Sequence, residues 1–341
     1  MGDGGLSTPA PKKGHPRLIA DIGGTHARLA WIAAPGAPVD HVKRYVCAEH
    51  ASIEALIHRY RTEHSLPMPS AAALGVAAHV GRGTVQLTNS AWRVDVASLA
   101  ASLGGAVPFL CNDFAALARG LSLLGPDEAQ AVGGGRAARG APRAVVGPGT
   151  GLGVAGLLEH AGSPVVVSGE GGHTSLAAET PEEHAIVQWL SARIGRVFAE
   201  SVLSGPGLVT LYQAVCALRG RVPVCTSPAA VLEESHDEAS AAVEHFLGWL
   251  GAFAGDIALI FDARGGVYLA GGVVAAMGAR LAHSSFRQRF EAKGHFSSSL
   301  RETPTWRILD APLCALRGAD ALLDDHTVWR TAIATVSQRP A

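Results

Sequence analysis

The sequence predicts an α/β protein with two domains. Short apolar segments typical of strands alternate along the chain with longer segments in which apolar residues recur at helical spacing, as they do over residues 52–64. The length of 341 residues fits about two domains of roughly 100–200 residues each. An apolar strand, a glycine turn and a second apolar strand follow one another at 17–32 and again at 144–158, which predicts a duplicated unit.

The predicted elements follow in a regular order. Apolar stretches bounded by glycine or polar residues predict strands at 18–20, 29–32, 72–80, 107–111, 144–146, 154–158, 266–270 and 305–309, and residues 87–95 are expected to form a strand and a turn. Helical periodicity predicts helices at 52–64, 95–103, 114–124, 181–199, 206–218, 227–235, 238–262, 274–282 and 314–325. The glycine-rich stretch 133–143 is expected to be a surface loop.

The composition excludes several classes of protein. A total of 28 Lys and Arg against 29 Asp and Glu argues against nucleic-acid binding, which needs a clustered basic surface. Only 17% of the residues are charged and 48% are hydrophobic, so most of the chain is expected to fold. Five widely spaced cysteines without a C-x-x-C motif support neither a zinc site nor a disulfide framework.

The sequence also predicts a cytoplasmic location. No uninterrupted apolar run approaches the ~18 residues of a membrane-spanning helix. The first 16 residues contain Gly, Pro and Lys but lack the apolar segment of a signal peptide. We therefore expect a disordered N-terminal extension and no membrane partner.

The most unusual feature of the composition is its glycine content, 41 of 341 residues, where ~7% is typical. Lysine is scarce: none of the four lysines directly follows a glycine, so the G-K-[ST] sequence of a P-loop is absent. The glycine run 147–153 does not fit the dinucleotide fingerprint G-x-G-x-x-G either. Any phosphate site in this chain is therefore of another kind.

Two glycine turns are candidates for that site. In the first, Asp21 ends a strand and Gly23, Gly24 and Thr25 follow, so backbone N–H groups and a hydroxyl could approach phosphate oxygens. Asp21 could hold a magnesium ion, through water. Residues 147–153 could serve in the same way from the opposite side. An ordinary hairpin turn is the alternative, and Arg28 could be either a surface residue or a phosphate ligand.

Four further segments could recognise a hydroxylated substrate and a nucleoside. Asn112 and Asp113 end an apolar strand, where ligands bind in α/β sheets; Asp113 could accept a hydroxyl proton, or it could simply cap a helix over 114–124. Glu170 and His173 flank a glycine pair that could instead be a polar turn, and Glu200 could lie on an exposed helix. The pair Gly271–Gly272 lies between a predicted strand and a predicted helix. It could contact an adenosine, or it could allow the helix to pack closely on the strand.

Together these motifs resemble those of the bacterial glucokinase family. DIGGTHAR, LTNSAW, CNDF, GPGTGLG, GEGGH, ESVLSGPGLVTLY and VYLAGGV occur in that order over residues 17–325. The resemblance implies a two-domain, actin-like ATPase (ribonuclease H-like) fold with a central cleft. It implies transfer of the γ-phosphoryl group of MgATP to the 6-hydroxyl of glucose, a homodimer and the zinc-free branch, so no zinc is expected. The domains would be 17–112 with a C-terminal helix at about 319–338, and 113–318.

The resemblance also assigns roles to residues. Asp113 would be the general base, and glucose would be bound by Asn112, Asp113, Glu170, His173, Glu200 and, in the LTN motif, Asn89. ATP and its magnesium would be bound by Asp21, Ile22, Gly23, Gly24, Thr25, Gly149, Thr150, Gly151, Gly271 and Gly272.

This sequence departs from the family pattern at two places. His26 stands where Asn is usual after G-G-T, which is expected to alter a loop contact rather than the chemistry, and the segment 79–84 is also unusual. Three other functions remain as alternatives: a sugar-responsive transcription regulator, an actin- or chaperone-type ATPase, and a sugar-binding protein without turnover. The segment before Arg17 is expected to be too short for a helix-turn-helix. The preferred hexose and phosphoryl donor stay open.

Overall fold

The computed structural model describes residues 14–78, 84–86 and 92–325. Most of the predicted N-terminal extension, Asn89 and most of segment 79–84 lie outside these ranges. The chain forms two compact units. Unit 1 comprises the described residues up to Leu124, Pro164–Val166 and those from Pro312 onward; unit 2 comprises Gly125–Ser163 and Val167–Ala311. The predicted domains, 17–112 with a C-terminal helix and 113–318, differ from these units, because residues 113–124 and 312–318 belong to unit 1.

Thirteen strands and eleven α-helices occur in the described residues. The strands are β1 Arg17–Ile22, β2 His26–Ile32, β3 Asp40–Val46, β4 Ala71–Val76, β5 Thr84–Gln86, β6 Arg93–Asp95, β7 Phe109–Asn112, β8 Ala129–Ala131, β9 Arg143–Pro148, β10 Leu152–His160, β11 Ser163–Gly169, β12 Val267–Leu269 and β13 Thr305–Ile308. The helices are α1 Ile53–Glu63, α2 Val96–Ser102, α3 Asp113–Gly120, α4 Pro181–Ile194, α5 Gly205–Leu218, α6 Pro228–Glu233, α7 Asp237–Phe261, α8 Gly272–Met277, α9 Phe286–Glu291, α10 Ser297–Glu302 and α11 Ala311–Asp324.

The sheet of unit 1 has the order β3-β2-β1-β4-β7. β1 pairs antiparallel with β2 and parallel with β4, and β4 pairs parallel with β7. Ile19, Ala73 and Cys111 point from this sheet into an apolar cluster with Leu316 and Leu322 of α11. The opposite face of the sheet packs on α1 and α2. The carboxyl ends of β1, β4 and β7 therefore share one edge of the sheet.

Helix α11 is held against unit 1 by charge as well as by apolar contact. Arg17, with a side chain only 4% exposed, donates to Asp320 at 2.8 Å and to Asp324 at 2.7 Å. Arg119 of α3 pairs with Asp325 at 2.7 Å. Glycines allow close packing of the two helices, since a Cβ at Gly318 would collide with the carbonyl oxygen of residue 116 in α3.

The sheet of unit 2 repeats the arrangement, with the order β11-β10-β9-β12-β13-β8. β9 pairs antiparallel with β10 and parallel with β12, and β12 pairs parallel with β13. Each sheet thus begins with a glycine hairpin and continues with two parallel strands, as a duplicated unit predicts. The short strand β8 adds an antiparallel edge to the second sheet.

Helix α7 forms the centre of unit 2. It has 25 residues, and it is long and apolar enough to span a membrane by length and composition, although no uninterrupted apolar run stands out in the sequence. However, 72% of its apolar window is buried within the structure, where Phe246, Trp249 and Leu250 contact the strands and helices of the same unit. Core packing thus accounts for its apolar character.

Several short elements were not predicted. The strands β3, β8 and β11 and the helices α9 and α10 lack a clear apolar pattern. In β3, which lies at the edge of its sheet, only Tyr45 is buried, and the strand therefore lacks the alternation of apolar and polar residues that predicts a strand. The loop predicted at 133–143 is confirmed up to residue 142, with 133–140 exposed, and β9 begins at Arg143.

Candidate active site

In unit 1, the sheet register brings two predicted site segments to one edge. Asp21 of β1 lies beside Gly75 of β4, which lies beside Cys111 of β7. With neighbouring strands ~4.8 Å apart, the Cα atoms of Asp21 and Cys111 are about 10 Å apart. Burial, and then the charges of Asp113 and Asp21, raise the pKa of the Cys111 thiol, so both carboxylates act on this position. Asp21 and Asp113, the expected phosphate-side group and the expected proton acceptor, thus lie at one edge of the sheet.

Asp113 lies in the first turn of α3, and Asn112 caps that helix. The Asn112 Oδ1 accepts hydrogen bonds from the N–H groups of Phe114 at 2.9 Å and Ala115 at 3.2 Å. The N-cap is therefore Asn112 and not Asp113, because the helix begins one residue earlier than predicted, although Asp113 Oδ1 also accepts the Phe114 N–H at 3.0 Å. The Asn112 amide also donates to the carbonyl oxygen of Ala78 at 3.3 Å, which fixes the side chain at both ends.

A small residue at position 75 lets α3 approach the sheet. A Cβ on Gly75 would lie 3.3 Å from the Cβ of Ala116 and 3.5 Å from the Cα of Asp113. The first contact is tighter than ordinary van der Waals packing. The height of Asp113 above the sheet edge thus depends on Gly75, a residue that the sequence motifs did not single out.

Asp21 is paired with the arginine opposite it on β2. Arg28 Nη1 lies 3.2 Å from the Asp21 carboxylate, whose side chain is 17% exposed. Burial raises the pKa of Asp21, and the charge and hydrogen bond of Arg28 oppose that rise. One carboxylate with access to solvent fits Mg²⁺, which is commonly bound by one or two carboxylates together with water and substrate phosphates. The described residues contain no cluster of three or more metal-ligating side chains.

The first glycine turn follows β1 directly. Its backbone is closed by a hydrogen bond from Gly23 N–H to the carbonyl oxygen of His26 at 2.9 Å, and the Thr25 side chain is exposed. The Ile22 side chain is fully buried in the core, so only its backbone can serve a ligand. Gly23, Gly24 and Thr25 are accessible, as phosphate binding requires.

The unusual His26 makes a specific contact. Arg44 of β3 donates to the His26 Nε2 at 2.7 Å, which requires a neutral imidazole. Burial lowers the pKa of His26, and the charges of Arg44 and Arg28 lower it further. Two arginines therefore lie beside the first glycine turn. Sequence reasoning missed Arg44, because the pairing of β2 with β3 was not predicted.

The second glycine turn connects β9 to β10 in unit 2. Gly149 N–H donates to the carbonyl oxygen of Gly151 at 2.7 Å, and Thr150 at the tip is exposed. The Gly149 carbonyl oxygen accepts the N–H of Gly205, the first residue of α5, at 2.7 Å. The turn is thereby attached to a helix, while its tip stays accessible.

Gly271 and Gly272 lie beside this turn. Gly271 has a φ of +91°, and a Cβ there would collide with the carbonyl oxygen of Pro148 at the end of β9. Position 271 therefore needs glycine for both conformation and space. Gly272 is exposed with no heavy atom near its Cβ direction, which leaves room for a ligand against the backbone.

Glu170 and His173 lie on one exposed 3-10 turn of unit 2. The turn Gly171–His173 is closed by His173 N–H donating to the carbonyl oxygen of Glu170 at 3.0 Å. Gly172 packs the turn against β10, where a Cβ would collide with the carbonyl oxygen of Leu152. Both polar side chains extend into solvent from a backbone fixed to the sheet.

Glu200 lies in another 3-10 turn, Ala199–Ser201, and not on an exposed helix. Its Oε2 accepts the N–H of Leu152 at 2.7 Å, and its Oε1 lies 3.9 Å from the His173 Nε2. The structure thus brings Glu170, His173 and Glu200 together beside the second glycine turn.

Comparison with known proteins shows which family the chain belongs to. The family model described as Glucokinase matches residues 18–326. The glucokinase of Aromatoleum aromaticum is 42% identical to the chain over 322 residues, which are 93% of this chain and 97% of that protein. The chain belongs to the glucokinase family. The family resemblance predicted from the motifs is confirmed.

Solved structures agree with the fold. The crystal structure of a glucokinase from an Antarctic psychrotroph is 32% identical, with a TM-score of 0.78, and the match covers 92% of this chain and all of that one. A ROK family glucokinase from Streptomyces griseus, crystallised with glucose and AMPPNP, is 18% identical with a TM-score of 0.62 over 90% of this chain and 98% of that one. The predicted α/β class and actin-like ATPase fold are confirmed.

Within this glucokinase family member, the predicted residues form one group in each unit. Unit 1 carries Asp21, the first glycine turn, Asn112 and Asp113; unit 2 carries the second glycine turn, Glu170, His173, Glu200, Gly271 and Gly272. Asn89 lies outside the described residues. The hydrogen bond from the Leu152 N–H to Glu200 was not predicted, because a backbone donor cannot be recognised from the residue type. The adjacent Gly151 was the one indication in the sequence.

Proposed function

We propose that this protein is an ATP-dependent glucokinase, which transfers the γ-phosphoryl group of ATP to the 6-hydroxyl of glucose and releases glucose 6-phosphate and ADP. The observation that carries the proposal is the placement of Asp113. The residue begins α3 at the carboxyl end of β7, fixed by the Asn112 cap, on the same sheet edge as Asp21. An ATPase without a hydroxylated substrate has no use for that carboxylate together with Glu170, His173 and Glu200.

In the proposed reaction, Asp113 is the general base. The glucose 6-hydroxyl oxygen bonds to the γ-phosphorus while the bond from that phosphorus to the β–γ bridging oxygen breaks, and ADP leaves. The hydroxyl proton goes to the Asp113 carboxylate. General-base assistance of this kind contributes about 10²–10⁴ in rate. Positioning of the two substrates supplies much of the remaining acceleration, since phosphoryl transfer needs little covalent help from the protein.

Sugar recognition is assigned to Asn112, Glu170, His173 and Glu200. Among the described residues Asn112 uses Oδ1 for the cap and one amide hydrogen for Ala78, so its second amide hydrogen remains for a sugar hydroxyl. Glu170 and Glu200 supply acceptors for sugar hydroxyls, and His173 supplies a ring nitrogen. Such polar groups discriminate between hexoses, because a missing or inverted hydroxyl leaves a polar group unpaired.

Phosphate binding is assigned to the two glycine turns. Contact with the adenosine is assigned to Gly271 and Gly272. The chain has only four lysines, and none follows a glycine, so backbone N–H groups and the hydroxyls of Thr25 and Thr150 take the place of a P-loop lysine. Magnesium arrives with ATP as part of the substrate, and Asp21 is the carboxylate placed to hold it through water. The ion supplies charge neutralisation on the phosphates.

The wider setting follows from this activity. Glucose 6-phosphate formation is the entry step of glycolysis, and we assign the protein to the cytoplasm, where ATP is available. A homodimer is expected from the family resemblance. Zinc has no part in the proposed reaction.

A hexose and donor panel tests the proposal. Turnover is followed by ADP release and, independently, by oxidation of the product with glucose-6-phosphate dehydrogenase. We expect the highest kcat/KM for glucose with ATP, compared with mannose, galactose and fructose and with ADP or polyphosphate as donor. Binding of glucose without any turnover would favour a sugar-binding protein, and the absence of product from glucose and ATP would overturn the assignment.

A further inference from the structure

Glu200 contacts both the sugar side and the phosphate side of unit 2. Its Oε2 accepts the Leu152 N–H at 2.7 Å, directly after the second glycine turn. Its Oε1 is turned toward His173, at 3.9 Å. That separation exceeds a hydrogen bond, so Oε1 keeps acceptor capacity for a ligand hydroxyl. One carboxylate therefore joins a backbone donor of the phosphate turn to the sugar-recognition group.

The approach of Glu200 depends on the absence of a side chain at position 151. A Cβ built on Gly151 would lie 2.5 Å from the Glu200 Oε2 and 3.2 Å from its carboxyl carbon. The same test on Gly149, two residues earlier in the turn, finds no heavy atom within 4 Å. Neither residue has a positive φ. The two glycines are therefore chemically matched but differ in their relation to Glu200.

Both backbone polar groups of Leu152 contact other site segments. Its N–H donates to Glu200, while its carbonyl oxygen packs against Gly172 in the turn that carries His173. The Thr174 carbonyl oxygen also accepts the N–H of Ala199, which joins the His173 turn to the Glu200 turn at 2.9 Å. A displacement of Leu152 would thus move both Glu200 and His173.

We propose that Gly151 and the backbone of Leu152 are positioning residues for the sugar, so that the second glycine turn sets the affinity for glucose even when no nucleotide is bound. The inference rests on the proposed function, since it takes glucose as the ligand of Glu200 and His173. Gly151 acts through Glu200 and touches no sugar atom itself. Gly149 is assigned to the nucleotide, and a side chain there would not reach Glu200, since its Cβ would have no heavy atom within 4 Å.

Isothermal titration calorimetry of the full chain with glucose, without nucleotide, tests this proposal. Gly151→Ala is expected to weaken glucose binding by about tenfold or more, because the displaced Glu200 loses a charge-assisted hydrogen bond. Gly149→Ala, the matched control, should leave the glucose Kd unchanged and raise only the KM for ATP. In a Glu200→Asp background, where the shorter side chain relieves the contact, Gly151→Ala should have little further effect.

The outcomes separate this inference from the proposed function. Wild-type protein that neither binds nor phosphorylates glucose would overturn the function. Wild-type binding with equal glucose Kd values for Gly151→Ala and Gly149→Ala would overturn only the positioning role. If Gly151→Ala does not fold, hydrogen exchange on the wild type decides: glucose alone should slow exchange in a peptide that contains the Leu152 N–H, and unchanged exchange there would contradict the proposal.

Discussion

At the scale of single residues, the most deeply buried charged residue among those the structure describes is Glu183, in the first turn of α4. Its side chain is 1% exposed and pairs with Arg289 of α9 at 2.6 Å. Burial would raise the pKa of Glu183, but hydrogen bonds from Arg289 and from the N–H groups of Glu179 and Thr180 outweigh burial and lower the pKa. Glu183 therefore contributes stability above its ordinary pKa, and that contribution is lost as the pH falls through the lowered value in the folded protein.

Removal of Arg289 should reveal the free-energy cost of burying the Glu183 charge. Arg289→Met leaves the Glu183 charge buried without its partner, so we expect the free energy of unfolding at pH 7 to fall by about 3–5 kcal/mol. The difference from wild type should shrink in acid, where Glu183 takes up a proton. Arg264→Met removes an exposed pair with Asp262 and should change little. Thermal unfolding at neutral and acidic pH measures both variants; an equal loss at every pH would contradict the account.

Sequence reasoning found most of the candidate residues but not their local partners. Asp113 was identified at a strand end, yet the sequence left open whether it caps α3, and the structure gives that task to Asn112. Arg44 and the Leu152 N–H were missed. Both depend on strand pairing or a turn that brings together residues far apart in the chain, and such contacts leave no periodic signal.

At the scale of elements, α3 carries Asp113 and is fixed from two sides. Gly75 allows α3 to pack closely on the sheet, and Gly318 of α11 packs against the α3 backbone at residue 116. Long helices such as α1 and α7 could be predicted from their apolar periodicity, whereas edge strands such as β3 could not, because solvent exposure removes the apolar alternation. Glycines such as these lie where a helix contacts another element, and this position can be recognised only from the folded structure.

The helix contact through Gly318 can be tested by one added methyl group. Gly318→Ala gains about 1 kcal/mol of helix propensity, but its Cβ would collide with the carbonyl oxygen of residue 116. We expect a net loss of about 1–3 kcal/mol from overpacking, and a lower kcat because α3 carries Asp113. Gly134→Ala, in an exposed loop with no atom near the new Cβ, is the control. Wild-type stability of Gly318→Ala in thermal unfolding would disprove the close packing.

At the scale of the whole molecule, the same strand arrangement occurs in both units. Both sheets start with an antiparallel hairpin closed by glycines and continue into two parallel strands. The glycine excess that stands out in the composition is partly explained by this repetition, at Gly23–Gly24 and Gly149–Gly151, and partly by packing, at Gly75 and Gly318. The duplication could be predicted from the repeated pattern of strand, glycine turn and strand.

The residues with proposed roles fall in both units. Unit 1 contains Asp113, the proposed base, and Asp21, proposed to hold magnesium; unit 2 contains the three residues proposed to bind glucose and the glycine pair proposed to contact adenosine. The assignment of each residue was predicted from motifs that are individually weak, such as a polar pair at a strand end. Their order along the chain carried the prediction, because it matches the family as a whole.

In the proposed mechanism, Asp113 accepts the proton of the glucose 6-hydroxyl during transfer from ATP. Steady-state kinetics of Asp113→Asn, with glucose 6-phosphate as the measured product, isolate this step, because Asn keeps the shape of the side chain but cannot take up the proton. We expect kcat to fall by about 10²–10⁴, while calorimetry still detects glucose binding to a folded protein. A kcat close to that of the wild type would exclude Asp113 as the general base.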